Sequence, residues 1–241
     1  MAVDILGKQS EIVWSRKEMQ RRGLDSLKSI TLIGRILRKL RVIKGIEVGD
    51  TKKSWDVLKT IDFLESNIQK NDPILDIGAF GSEILLSLNN LHYTNLTGID
   101  LNSRIFYMPK ANKIKYICGD FLNAPLDNQS YSAVTAISVI EHGFNSKELL
   151  NKLSHVIKLN GFFIASVDYW PDKISTNGIK EYGLDWTIFS KDEIMSFIKE
   201  AEMFGFKSNG HMNFSANEKT AEWNNKSFTF AWLVLEKVHN F

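Results

Sequence analysis

The hydrophobic rhythm of the chain changes near Pro73. Ahead of it, apolar positions recur at helical spacing. Trp55, Leu58, Ile61, Leu64 and Ile68 mark a helix over residues 54–69. Between Arg16 and Lys44, the apolar residues Ile30, Leu32, Ile33, Ile36, Leu37, Leu40 and Val42 are interleaved with Arg16, Lys17, Arg21, Arg22, Lys28, Arg35, Arg38, Lys39, Arg41 and Lys44, opposed only by Glu18 and Asp25. That pattern predicts an amphipathic basic helix or helix pair. No strand is evident before about residue 70.

Beyond Pro73, short apolar runs alternate with helical patterns. Strands are expected at 73–78, 95–100, 113–118, 131–138, 162–167, 205–211 and 227–236, with helices at 82–91, 145–159 and 190–201. Asn145 with Glu148, and Ser190 with Glu193, have capping-box spacing at two of the helix starts. Asn160-Gly161 is expected to turn the chain into the fifth strand. Alternation of this kind implies βαβ units and a parallel sheet covered on both faces. The last two strands are joined by a polar stretch (210–225) without a helical pattern, so the final strand is expected to run antiparallel. The predicted fold is α/β: a three-layer doubly wound sheet, mostly parallel, with seven strands and an antiparallel last strand. It carries an N-terminal basic helical extension or lid (1–54) ahead of the main domain (55–241).

Composition narrows the setting. Lys and Arg total 30 against 28 Asp and Glu, a net charge of +2, so bulk charge does not point to nucleic acid. A single cysteine, Cys118, allows no disulfide within the chain. There is no signal-peptide pattern and no apolar run long enough to span a membrane. A cytoplasmic setting is the expectation.

The chemistry gathers at predicted strand ends. In Ile74-Leu-Asp-Ile-Gly-Ala-Phe-Gly-Ser82 a strand stops at Gly78 and a helix begins shortly after Gly81, so the backbone turns sharply and its free N–H groups face a ligand. Asp76 sits inside that strand end, Asp100 ends the next strand and Asp120 the third. Three successive strands thus deliver an acid to the carboxyl edge, where open α/β sheets bind ligands. A plain doubly wound domain could use the same acids as caps. A dinucleotide would set an anionic pyrophosphate against Asp76, which disfavours NAD.

The series Asp76-Ile-Gly78-Ala-Phe-Gly81, Gly98-Ile-Asp100-Leu-Asn102, Gly119-Asp120-Phe121, Val139-Ile-Glu141-His142 and Leu159-Asn-Gly161 resembles the class I S-adenosylmethionine-dependent methyltransferases in order and spacing, over roughly residues 55–236. Phe80 departs from it, standing where many members have glycine. The resemblance implies S-adenosylmethionine as cofactor, with S-adenosylhomocysteine as product. Gly78, Ala79 and Gly81 would line its methionine part, and Asp76 would take its amino group. Asp100 would take the ribose hydroxyls, with Leu101 and Asn102 beside the adenine. Asp120 would accept from the adenine amino group, Phe121 would flank the ring, and Val139 and Glu141 would touch the cofactor from strand four.

A hydroxyl acceptor needs a base. His142, at the end of strand four, and Asp168, leaving strand five, are the candidates, although Glu-His at this place could equally tie the strand end to a loop. Tyr169, Trp170 and Trp186 combine with Asp168 as aromatic walls beside a carboxylate, which suits a saccharide or a related polar metabolite; they could also be packing residues. No metal cluster is evident. RNA methylation through the basic helices is the alternative, as is a catalytically silent cofactor-binding protein. Base-amino methylation lacks its Pro-Pro-aromatic element, and Cys118 reads as a small buried residue rather than a nucleophile.

Overall fold

The structure is a computed structural model that describes residues 1–26, 46–181 and 183–239. Of the basic helix or helix pair expected between Arg16 and Lys44, everything from residue 27 onward lies outside the described residues, as does Tyr182.

Four short strands form the front half of a parallel sheet: β2 (Ile74–Ile77), β3 (Leu96–Asp100), β4 (Ile114–Cys118) and β5 (Tyr131–Ile137). They are joined by β6 (Ile157–Tyr169) and β11 (Lys226–Lys237) in the order β11-β6-β5-β2-β3-β4. All pairings from β4 through β6 are parallel, and β11 runs antiparallel to β6, as the polar 210–225 connection suggested.

Two differences from the sequence reading have clear causes. A strand, β1 (Val3–Ile5), opens the chain and pairs antiparallel with β11, Val3 opposite Leu233. Three residues carry too short an alternation to register by periodicity. The helix before β6 also stops early. α4 (Ser146–Val156) gives way directly to β6 at Ile157, and the expected turn at Asn160-Gly161 becomes a kink inside the strand, with Asn160 at φ +62°. Asparagine tolerates that left-handed conformation. A Cβ on Gly161 would sit 2.9 Å from the Ser132 carbonyl oxygen of the neighbouring strand, so only glycine fits there.

Near β11 the pattern is local. β9 (Phe206–Lys207) pairs with its end, and β10 (Ala221–Trp223) forms a tight hairpin with it through Asn224 and Asn225, both at positive φ. A separate two-residue hairpin, β7 (Lys180–Glu181) and β8 (Leu184–Asp185), follows β6.

Helices cover both faces. α1 (Gln9–Arg21), α2 (Ser54–Asn67) and α3 (Ile84–Asn90) share one core with the sheet, through Ile12, Met19, Ile61, Leu64, Ile84 and Leu88. On the other face α4 and α5 (Lys191–Glu202) bury Leu149, Leu153, Ile194 and Phe197. Sheet residues alternate between the two cores: Ile164 and Trp232 face one, Phe163 and Leu233 the other. Asn145 accepts from the Lys147 and Glu148 N–H groups at the start of α4, and Ser190 with Glu193 forms the complete capping box at α5.

α1 is fastened to the sheet edge by charge. The guanidinium of Arg16, almost wholly buried, makes a 2.8 Å ion pair with Glu83 and another with Asp25. It also donates to Ser54 Oγ and to the Asp50 carbonyl. Glu83 stands immediately before α3 and also accepts from the Ser26 N–H.

Candidate active site

The bend between β2 and α3 is built on two glycines in the left-handed region, Gly78 at φ +73° and Gly81 at φ +80°. A Cβ on Gly78 would lie 2.5 Å from Cγ2 of Val139, so this residue, just after β5, closes tightly over the bend. The Gly78 and Ala79 N–H groups bond the Ile99 carbonyl. From outside, Gly49 N–H donates to the Gly81 carbonyl at 2.8 Å, which brings the segment ahead of α2 onto the same loop.

The three strand-end acids share this edge. Asp100 joins β3 to the bend: its carboxylate accepts from the Phe80 N–H at 3.0 Å and from the Asn102 N–H at 2.7 Å. Asp120 ends β4 and accepts from the Leu122 N–H and the Asn123 amide. Asp76 is different, being buried at 1% exposure. Oδ1 accepts from the Thr135 hydroxyl at 2.6 Å, while Oδ2 has no hydrogen bond of normal geometry. Burial pushes its carboxyl up to about 7, with the Thr135 and Ser82 hydroxyls working in the other direction. Leu101 is 66% exposed and Asn102 is exposed beside it, while Phe121 is buried. A glycine bend, an orphaned buried carboxylate oxygen and two further acids on the same edge fit a cofactor bearing an ammonium and ribose hydroxyls.

Toward β5 and β6 lies a second group of charges. Ser138 ends β5 in a left-handed conformation, φ +53°, which turns the chain into Val139–His142. Glu141 is 1% exposed, and neither carboxylate oxygen has a hydrogen bond of normal geometry; burial, then the charge of Asp168, raises its affinity for a proton well above the usual carboxylate range, with the Ser138 hydroxyl working in the other direction. Asp168 accepts from the Trp186 indole N–H at 2.8 Å. Lys53 Nζ lies 3.6 Å from Asp168 and 4.0 Å from Asp56, and 3.5 Å from the Phe230 ring centroid. Asp56 is fully buried, accepts from the Ser166 hydroxyl and is pushed up to about 6 by burial. Glu181, on β7, is raised too, by burial and then Asp168. His142 Nδ1 lies 3.7 Å from Glu181, and burial lowers its pKa, leaving it neutral at pH 7.

The sequence-predicted residues therefore fall into two neighbouring sets. Asp76, Gly78, Ala79, Gly81, Asp100, Leu101, Asn102 and Val139 surround the bend, and Asp120 and Phe121 continue the edge. Glu141, His142, Asp168 and Trp186 gather next to it. Trp186 is buried against Phe228 with its N–H on Asp168, so it holds that carboxylate in place. Tyr169 is not brought to the same place: it packs into the opposite core and donates to the Phe214 carbonyl. Trp170 lies half-buried at the strand end, with Lys219 over its ring. Cys118 is exposed rather than buried, because β4 is the edge strand of the sheet among the described residues. The sequence reading missed Lys53, Asp56 and Glu181. Asp56 left one trace, a carboxylate between Trp55 and Val57 in the first turn of an apolar helix.

A methyltransferase-domain family matches residues 75–165, the stretch from β2 through most of β6. EEF1A lysine methyltransferase 2 of Danio rerio is 27% identical over 158 residues, 57% of this chain and 66% of that protein. Ubiquinone biosynthesis O-methyltransferase of Rickettsia bellii is 29% identical over 144 residues, 56% of this chain and 59% of that protein. The chain thus spans less than two thirds of either relative's length. The crystal structure of an S-adenosylmethionine-dependent methyltransferase from Mesorhizobium loti superimposes with a TM-score of 0.53 at 12% identity, covering 73% of this chain and 96% of that one. Residues 75–165 thus match a methyltransferase domain, and the sheet order and glycine bend give the chain the Rossmann-like fold of the methyltransferase structures it resembles.

Proposed function

We propose that the chain transfers a methyl group from S-adenosylmethionine to a small polar acceptor, a saccharide or a related metabolite, bound beside Glu141 and Asp168. The carrying observation is Glu141. Its two buried oxygens, without a hydrogen bond of normal geometry, stand two residues from Val139, which touches Gly78. Buried acceptors without donors are costly, and a polar ligand would supply the donors.

In this reading Asp76 takes the cofactor's ammonium, Asp100 its ribose hydroxyls, and Leu101, Asn102, Asp120 and Phe121 its adenine. The bound cofactor supplies a methyl carbon already activated by positive sulfur. The chain's own contribution is to align the acceptor, exclude water and take a proton. His142, neutral at pH 7, and Asp168 are the groups placed for the proton. Residues 1–54 act as the extension that covers the site, and 55–241 as the catalytic unit; the contact of Gly49 with Gly81 supports that division of labour. A cytoplasmic setting accords with it, and among the described residues no helix is long and apolar enough to cross a membrane. The curated relatives are named for a lysine acceptor and an oxygen acceptor, so their names do not choose between the two.

Titration calorimetry with S-adenosylhomocysteine tests the cofactor half. Binding is expected, weakened about tenfold to a hundredfold in Asp100→Ala, the worth of hydrogen bonds to a charged group. A folded chain that binds neither S-adenosylmethionine nor its product would overturn the reading.

A further inference from the structure

Asp56 in the first turn of α2, Glu141 after β5, Asp168 at the end of β6 and Glu181 on β7 come from four separate elements. The charge of Lys53 is felt at Asp56, Glu141 and Glu181, and Lys53 faces Asp168 directly. Two of these carboxylates lie within 4.0 Å of one cation, and the other two within reach of its charge. That cation is shared thinly: 3.6 Å and 4.0 Å are longer than hydrogen bonds, and its nearest neighbour is the face of Phe230.

The unmet demand is specific. Both oxygens of Glu141, Oδ1 of Asp56 and Oε1 of Glu181 are buried without a hydrogen bond of normal geometry, and the first two side chains are at 1% and 0% exposure. These orphans need donors, and four acids around one lysine need positive charge. A neutral polyol would meet only the first need. A metal ion would meet the second, but no three acids, histidines or cysteines among the described residues converge closely enough to hold one. An ammonium carries three N–H donors and a full charge on a compact head, and it can bond several separated carboxylates at once. Asp168, held by the Trp186 indole, and Asp56, held by the Ser166 hydroxyl, would meet it in fixed positions.

We propose that this cage is the acceptor subsite and that the acceptor it takes carries an organic ammonium held there, while a hydroxyl oxygen of the same molecule receives the methyl group as the carbon–sulfur bond breaks, S-adenosylhomocysteine leaves and the hydroxyl proton passes to His142. An amino sugar would also meet the saccharide-like reading above. The inference rests on the methyl-transfer reading, because it places the acceptor beside the cofactor bend.

The test compares two fragments that differ only at the head group. The full chain, loaded with S-adenosylhomocysteine, is titrated with ethanolammonium and with ethylene glycol at pH 8, and binding is followed by amide chemical shifts. Ethanolammonium is expected to saturate at least tenfold tighter than the glycol and to move amides at Lys53–Asp56, Glu141–His142, Asp168 and Glu181. Asp168→Asn and Glu181→Gln should each weaken it several-fold while leaving calorimetric S-adenosylhomocysteine affinity within twofold. Glu181→Gln is the safeguard against misfolding, since Glu181 is the least buried of the four. Equal affinity for the two fragments, no saturable ethanolammonium binding, shifts confined to other surfaces, or indifference to both substitutions would each overturn the inference. Failure of S-adenosylhomocysteine to bind the parent chain would instead overturn the methyl-transfer reading beneath it.

Discussion

The two acidic groups on the carboxyl edge sit side by side and differ in how their charge is managed. Asp100 and Asp120, on the β3–β4 side, lie partly open and accept from backbone N–H groups of their own loops. Donors within the chain answer them before any ligand arrives. Asp56, Glu141, Asp168 and Glu181, on the β5–β6 side, are buried against one lysine, with several oxygens unanswered. Asp76 stands at the seam, half satisfied by Thr135. The first group is a preformed set of acceptors that costs the fold little. The second is a set of buried carboxyls whose ionised form is costly until a cation answers it. Carboxylates on one sheet edge can therefore do opposite jobs, and burial rather than residue type decides which.

The sharpest way to break the nucleotide side is steric. Gly78→Val puts a β-branched side chain at φ +73° and into Val139, so S-adenosylhomocysteine binding should disappear in calorimetry. Next comes a stability test of the buried side. Asp56 is raised from 3.8 to about 6, so the folded state holds its proton more tightly than the unfolded chain does. Stability from this group is full below about pH 4 and is lost as pH rises through 6, which amounts to on the order of 3 kcal/mol at pH 8. Asp56→Asn keeps an acceptor for Ser166 and removes the charge. Its melting temperature should exceed the parent's at pH 8, by roughly 2–4 °C per kcal/mol for a chain of this size, and match it near pH 4. A mutant less stable at pH 8 would show that the charge is welcome there.

The seam gives a smaller effect. With Asp76 near 7, protonation competes with a cofactor ammonium, so affinity for S-adenosylhomocysteine should fall about tenfold between pH 8 and pH 6. Asp76→Asn should flatten that profile. Least of all, Cys118→Ser on the exposed edge strand should change neither melting nor cofactor affinity, staying within about 0.5 kcal/mol.

The same contrast explains what the sequence could show. The strands from β2 to β5 and their acids are local: each lies in one short run with a fixed neighbour, so spacing alone places Asp76, Asp100 and Asp120. The antiparallel β11 was legible too, from a polar connection that offered no crossover helix. The cage is not local. Lys53 and Asp56 precede the first central strand, whereas Glu181 follows β6, and only the closed tertiary structure brings them together. Tyr169 and Trp186 were indistinguishable as aromatic residues near a strand end. The alternation of β6 sends Tyr169 to the opposite core, while the isolated bridge between His142 and Trp186 holds the indole near Asp168. Cys118 was misjudged because edge position depends on sheet order, which no short window contains.

Arg16 has a consequence for any shortened version of this protein. Its guanidinium answers Glu83, which begins the helix leaving the glycine bend, and it also grips Ser54 and the Asp50 carbonyl. A fragment beginning at Trp55 would lose Arg16 and Ser26, which answer Glu83, together with Gly49, which packs on Glu83 and bonds the Gly81 carbonyl. The glycine bend would then be left without its outer support. Trimming the leading helix would thus be felt first as poor cofactor retention, well away from the cut.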